Sequence, residues 1–287
     1  MGVFFFKQKF YTMKKSFFIF LGYVALFFVL SIGLFVSLLK LFLVFGFIDE
    51  SHSYTEASIG GILLMCCTTI LSGILLVKIY HWQAKPLQVL SYEKPLRFFT
   101  GAWLGAILYL PIFLVFAYRA NWQFYVALQT NYLLMAVFVL RVLLNAWLEE
   151  IAFRYIGLGV LEKHFSVVQS ILISSLVFAM MHVDGLINSY PDAWKDMITR
   201  FAMGVFFALM YKRKGIWAST GLHFAWNTML MVIDLPSMHQ HEKTSIVLMN
   251  WHTDFVANDL NMFVYLMAVA LLLLFKDQII KKAVKFE

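Results

Sequence analysis

Polar and charged residues divide the chain into long apolar blocks. Runs with the length and apolarity of a membrane helix, roughly 18 residues with few charges, fall at 16–40, 58–80, 99–118, 127–160, 166–183, 197–211, 215–234 and 260–276. The pattern predicts an all-α fold, a polytopic transmembrane helical bundle of about eight spans. The fourth block is longer than one bilayer crossing and is expected to tilt or protrude. Ser166 and Gln169 have the spacing of a capping box, which marks the start of the fifth helix. The first block is too long for a signal-peptide core and lacks a small-residue cleavage site, so it is expected to remain as a span.

Composition agrees with this reading. The 287 residues are 62% hydrophobic and 14% charged, with a mean hydropathy of +0.78. A soluble domain would be nearer half apolar and a quarter charged. Charge placement then orients the bundle. With the N-terminus inside and each span reversing sides, only Arg119, Lys195, Arg200 and Lys243 among the loop lysines and arginines fall outside. That asymmetry obeys the positive-inside rule and puts both termini inside. The net charge of +7 belongs to cytoplasmic rims beside anionic lipid, so it gives no reason to expect a nucleic-acid partner. One integral membrane domain over 1–287 is expected in the cell membrane, with a core at 127–234 and basic ends at 1–15 and 276–287.

Other features are modest. Cys66 and Cys67 are adjacent in the second block and read as small buried residues rather than a disulfide scaffold. Gly101-x-x-x-Gly105 is a close-packing motif for membrane helices. The polar connection 235–259, with His239, His241 and His252, reads as a solvated loop.

Ionisable side chains at membrane depth are costly and usually functional. Within the blocks they are Lys40, Arg141, Glu149, Glu150, Arg154, His182 and His223. Lys40 is close enough to a helix end to snorkel, and Arg141 can pair with helix ends or line a water cavity. The other five lie on the fourth, fifth and seventh blocks, at depths that allow Glu149, His182 and His223 to meet near the midplane. Glu150 and Arg154 are at i and i+4, the spacing of a buried ion pair. Glu149 points about 100° away from Glu150, which leaves it to the cavity and suits a general base or acid. Phe178 shares a helix face with His182, and Asn227 shares one with His223. A purely structural bundle would use these groups as interhelical polar glue. A proton-coupled transporter would use them as a relay, but no clear inverted repeat supports that fold.

Glu149-Glu150-x-x-x-Arg154, Phe178-x-x-x-His182 and His223-x-x-x-Asn227 occur in that order, and the ordered set resembles the CPBP intramembrane proteases. That family includes type II CAAX prenyl endopeptidases, the Abi proteins and bacteriocin-processing or self-immunity proteins. The resemblance covers about 145–230. It implies an endopeptidase that cuts a peptide or membrane-anchored protein. Glu149 and His182 would activate water, and His223 and Asn227 would stabilise the oxyanion. Glu150, Arg154 and Phe178 would support the base or orient the substrate. It leaves the cofactor open: Glu149, His182 and His223 could hold Zn2+ or another divalent metal. Asn227, a poor zinc ligand and a good oxyanion donor, favours metal-free chemistry. A non-catalytic self-immunity factor is the other function within the same resemblance. Rival protease signatures are missing: there is no H-E-x-x-H, no G-x-G-D and no Gly followed two residues later by Ser.

Overall fold

The computed structural model describes residues 2–44, 59–83, 96–119, 124–126, 132–182, 193–234 and 247–249. The predicted eighth span at 260–276, the histidines of 235–259 and the basic 276–287 end lie outside the described residues. The helices are α1 (Gly2–Val44), α2 (Ile59–Gln83), α3 (Arg97–Arg119), α4 (Tyr132–Glu150), α5 (Val167–Met180), α6 (Ala193–Lys214) and α7 (Ile216–Val232). Beyond Glu150, α4 widens into a π-helical segment, Ile151–Leu158, and closes with an α turn, Gly159–Leu161.

Four of these helical stretches are long and apolar enough to cross a membrane: Thr12–Leu41, Gly61–Trp82, Arg97–Leu114 and Tyr132–Leu161. The other three predicted spans within the described residues fall short for identifiable reasons. The 14 residues of α5 rise only about 21 Å, against a hydrocarbon core of about 30 Å. In α6, Lys195 and Arg200 sit in the first half and Lys212, Arg213 and Lys214 in the last turn. The 17 residues of α7 are just under a full crossing. The segment Ala202–Met210 of α6 and most of α7 are buried inside the protein. In contrast, α1 to α4 expose Val29, Ile32, Trp103 and Leu133 outward, as lipid-facing helices do.

Helix ends and crossings follow from small residues and caps. The capping box at α5 is formed: Gln169 N–H donates to Ser166 Oγ at 3.3 Å, and Ser166 N–H donates to Gln169 Oε1 at 3.1 Å. Gly215 takes φ 88°, a left-handed conformation that glycine adopts without a Cβ penalty. Its N–H donates to the Tyr211 carbonyl at 2.7 Å. One residue thus reverses the chain and lays α7 against α6. The Gly101-x-x-x-Gly105 motif packs backbone on backbone. A Cβ on Gly101 would lie 1.8 Å from the Ala218 carbonyl oxygen, and one on Gly221 would lie 2.0 Å from that of Phe98. Lipid tails are as apolar as the helices, so close packing of this kind, rather than hydrophobic exclusion, holds α3 to α7.

The main apolar cluster joins α1 (Phe20, Tyr23, Phe27), α2 (Leu76, Tyr80), Leu148, the π-helical segment (Phe153, Tyr155) and Phe178 of α5. Edge-to-face ring pairs run through it, with Phe153 5.3 Å from Phe178 and 6.4 Å from Phe27. The Ser174 hydroxyl donates to the Phe153 carbonyl at 2.7 Å and ties α5 to the π-helical segment.

One expectation needs correction. Cys66 is buried but Cys67 is exposed, because adjacent residues on a helix cannot share a face. The connections also contain a small sheet. Phe124–Val126 (β1) pairs antiparallel with Val247–Met249 (β3), which pairs parallel with Ile233–Asp234 (β2). These strands of two or three residues are too short to leave a periodic signal in the sequence.

Candidate active site

The two glutamates of α4 face different surroundings. Glu150 stands at the junction with the π-helical segment and is fully buried. Its carboxylate accepts from the Ser219 hydroxyl and from His223 Nδ1 at 3.1 Å. Arg154 Nε lies 3.5 Å from Glu150 Oε2. The expected ion pair is therefore present, but His223 approaches Glu150 more closely than Arg154 does. Glu149 keeps 14% of its side chain exposed and accepts from Asn145 Nδ2 at 2.7 Å. Its Oε2 is 3.7 Å from His223 Nε2. His223 thus stands between the two carboxylates, one at each ring nitrogen.

Aromatic rings fix these charges in place. Phe207 stacks on His223 at 4.5 Å with an interplanar angle of 23°. The Arg154 guanidinium lies 4.7 Å from the Phe178 ring centre and 5.6 Å from that of Phe207, within cation–π range. Arg154 Nη2 donates to the Gly204 carbonyl at 3.3 Å. That contact requires α6 to come close, and Gly204 allows it: a Cβ there would sit 2.9 Å from the Ser175 Cβ.

His182 lies just past the end of α5. Its Nδ1 is 2.8 Å from the Phe178 carbonyl oxygen. A carbonyl only accepts, so Nδ1 carries the proton and a neutral ring leaves its Nε2 lone pair open. The Phe178 ring packs against it, with centroids 4.8 Å apart. Glu149 and His182 line one cavity of about 280 Å³, together with Asn145, Leu148, Phe153 and Met181 and residues of α1 and α2.

The expected site residues therefore form two layers. Glu149 and His182 line the cavity, while Glu150, Arg154, Phe178 and His223 form the buried layer behind them. Asn227 is one turn beyond His223 on α7 and half-buried, and it makes no hydrogen bond among the described residues. It is not among the residues that line the cavity. Sequence reasoning missed Asn145, Gly204, Phe207 and Ser219. Two of these had a usable signal: Asn145 precedes Glu149, and Ser219 precedes His223, by the four residues that bring side chains together on a helix.

Both histidines anchor Nδ1, the orientation that metal-binding histidines use, but Nε2 is open only in His182, since that of His223 lies 3.7 Å from Glu149. Even so, no three His, Cys, Asp or Glu side chains gather at metal-ligand spacing among the described residues. Glu149, His182 and His223 do not form a zinc set in this arrangement.

Residues 129–229 match the model of the family described as Type II CAAX prenyl endopeptidase Rce1-like. That segment contains every residue of the three motifs. It is also 33% identical over 95 residues to a protein of Bacillus subtilis (strain 168) named "Putative membrane peptidase YdiL". That alignment covers 33% of this chain and 35% of the relative, so the chain spans about a third of the relative's length. No solved structure matches.

Proposed function

We propose that the chain is a multi-pass endopeptidase of the cell membrane, acting on a peptide or membrane-anchored protein near its anchored end. The eight-span arrangement over 1–287, with both ends inside, belongs to this reading. The observation that carries it is the shared cavity of Glu149 and His182, backed by the buried His223–Glu150–Arg154 network.

The chemistry needs only the chain's own groups. Glu149 takes a proton from water as the oxygen attacks the scissile carbonyl carbon, and the open Nε2 of His182 holds the same water. The carbonyl oxygen becomes an oxyanion, and the resemblance assigns its donors to His223 and Asn227, neither of which lines the cavity in this arrangement. Collapse breaks the C–N bond, and the proton held by Glu149 passes to the leaving amine. The asymmetry between the glutamates supports the assignment, because Glu150 is occupied by three partners while Glu149 faces the cavity.

The test is processing of membrane-anchored peptides by purified wild type, Glu149→Ala and His182→Ala. Loss of cleavage in both variants is expected. Equal processing by all three overturns the reading.

A further inference from the structure

Glu149 and His182 share their cavity with four other polar side chains, Ser31, Thr68, Thr69 and Asn145. Peptide hydrolysis there needs a donor for the oxyanion as well as a base, and the donors can be counted. Thr68 Oγ1 donates to the Leu64 carbonyl and Thr69 Oγ1 to that of Met65, each at 2.9 Å. A hydroxyl has one proton, so both are spent. Ser31 Oγ is sealed from solvent and out of an occupant's reach. The Nδ1–H of His182 is taken by the Phe178 carbonyl, and Nε2 of the neutral ring only accepts. Asn145 differs. Its Nδ2 carries two N–H bonds, and one of them donates to Glu149 Oε1 at 2.7 Å. The side chain is exposed and makes no other hydrogen bond among the described residues, so the second N–H is unspent.

The bond to Glu149 also fixes where that N–H can serve. A carboxylate only accepts, so the nitrogen end of the amide is the end beside Glu149. An oxygen accepting the second N–H at ordinary length lies roughly 5 Å from Glu149 Oε1. That leaves room for one water between the base and a carbonyl. We propose that Asn145 is a catalytic residue, whose second Nδ2–H donates to the scissile carbonyl oxygen. Glu149 takes a proton from water as the water oxygen bonds to the carbonyl carbon, and the π pair moves onto the carbonyl oxygen beside Asn145. On collapse the pair re-forms C=O, the C–N bond breaks, and the leaving nitrogen takes the proton from Glu149. The inference rests on the peptidase reading, and it supplies a donor inside the cavity, which neither His223 nor Asn227 lines.

The experiment uses the full chain in nanodiscs and a panel of N-palmitoylated apolar peptides, with cleavage read by mass spectrometry. A fluorescein-labelled phosphonamidate copy of a cut peptide carries a P–O⁻ oxygen where the oxyanion forms, and its Kd is read by fluorescence anisotropy. Asn145→Leu, close in shape, and Asn145→Ala are expected to lower kcat about 10²–10³-fold with KM within about twofold of wild type. Both should weaken phosphonamidate binding by a similar factor and leave the unfolding midpoint in place. A role confined to holding Glu149 lowers kcat but leaves phosphonamidate binding as in wild type, and that result overturns the donor assignment. So does a loss of phosphonamidate affinity matched by an equal rise in KM, which is general damage to the cavity. Cleavage by either variant at the wild-type rate overturns the assignment and leaves the peptidase reading standing. A wild type that cuts no peptide overturns both.

Discussion

His223 turns its Nδ1 toward Glu150 at 3.1 Å, deep in the bundle, so that the opposite nitrogen of the ring is left beside Glu149. Glu150 thereby sets the angle of the ring that the neighbouring glutamate meets. Removing either glutamate should have different consequences. Glu150→Ala leaves Arg154 buried without its carboxylate, a change that costs about 3–5 kcal/mol, so a large fall in the thermal unfolding midpoint in detergent is expected. Glu149→Ala removes a partly exposed group with one hydrogen bond. Its unfolding midpoint should stay close to wild type while cleavage falls about 10²–10⁴-fold.

Ser219 reaches Glu150 from α7, one turn before His223. A hydrogen bond to a charged group contributes about 1.5–3 kcal/mol. Ser219→Ala should lower both unfolding midpoint and cleavage rate, and Ser219→Thr should recover most of the loss. A full-rate Ser219→Ala enzyme would show that Glu150 does not depend on this hydroxyl.

The glycines of the α3–α7 crossing give a contrast within one helix type. Gly101→Ala and Gly221→Ala place a methyl within 2.0 Å of backbone oxygen. They should cost at or above the usual overpacking range of about 1–3 kcal/mol, measured as lost monodisperse yield and unfolding midpoint. Gly22 on α1 has nothing within 4 Å of a new Cβ, so Gly22→Ala should stabilise the helix by about 0.5–1 kcal/mol.

Metal removal tests the mechanism separately from the fold. Protein stripped by chelation and verified metal-free is expected to retain its cleavage rate, because Glu149, His182 and His223 are not gathered as a ligand set. Activity lost on stripping and restored by zinc would overturn metal-free chemistry.

Much of this arrangement could be read along the chain because it depends on helical period and caps. The different surroundings of Glu149 and Glu150, the Ser166–Gln169 cap and the Gly101–Gly105 contact are all local patterns with a fixed spacing. The π-helical segment could not be read that way. Ile151–Leu158 contains no residue that demands the wider turn, and what surrounds it is tertiary: Phe20 against Gly157, and Ser174 on the Phe153 carbonyl. Phe207 was likewise invisible, since one aromatic among many apolar residues acquires its role only when distant helices meet. Length and apolarity single out four crossings among the described residues, and the count of eight rests on the apolar runs alone. An apolar run signals burial, and protein can bury α6 and α7 as readily as lipid can.

The α3–α7 crossing also bears on traffic from the bilayer. Where backbone oxygens lie within 2.0 Å of a missing methyl, no hydrocarbon tail can wedge between the helices. That seam is closed to acyl chains. On the peptidase reading, an anchored substrate travelling laterally would find no doorway along the α3–α7 contact.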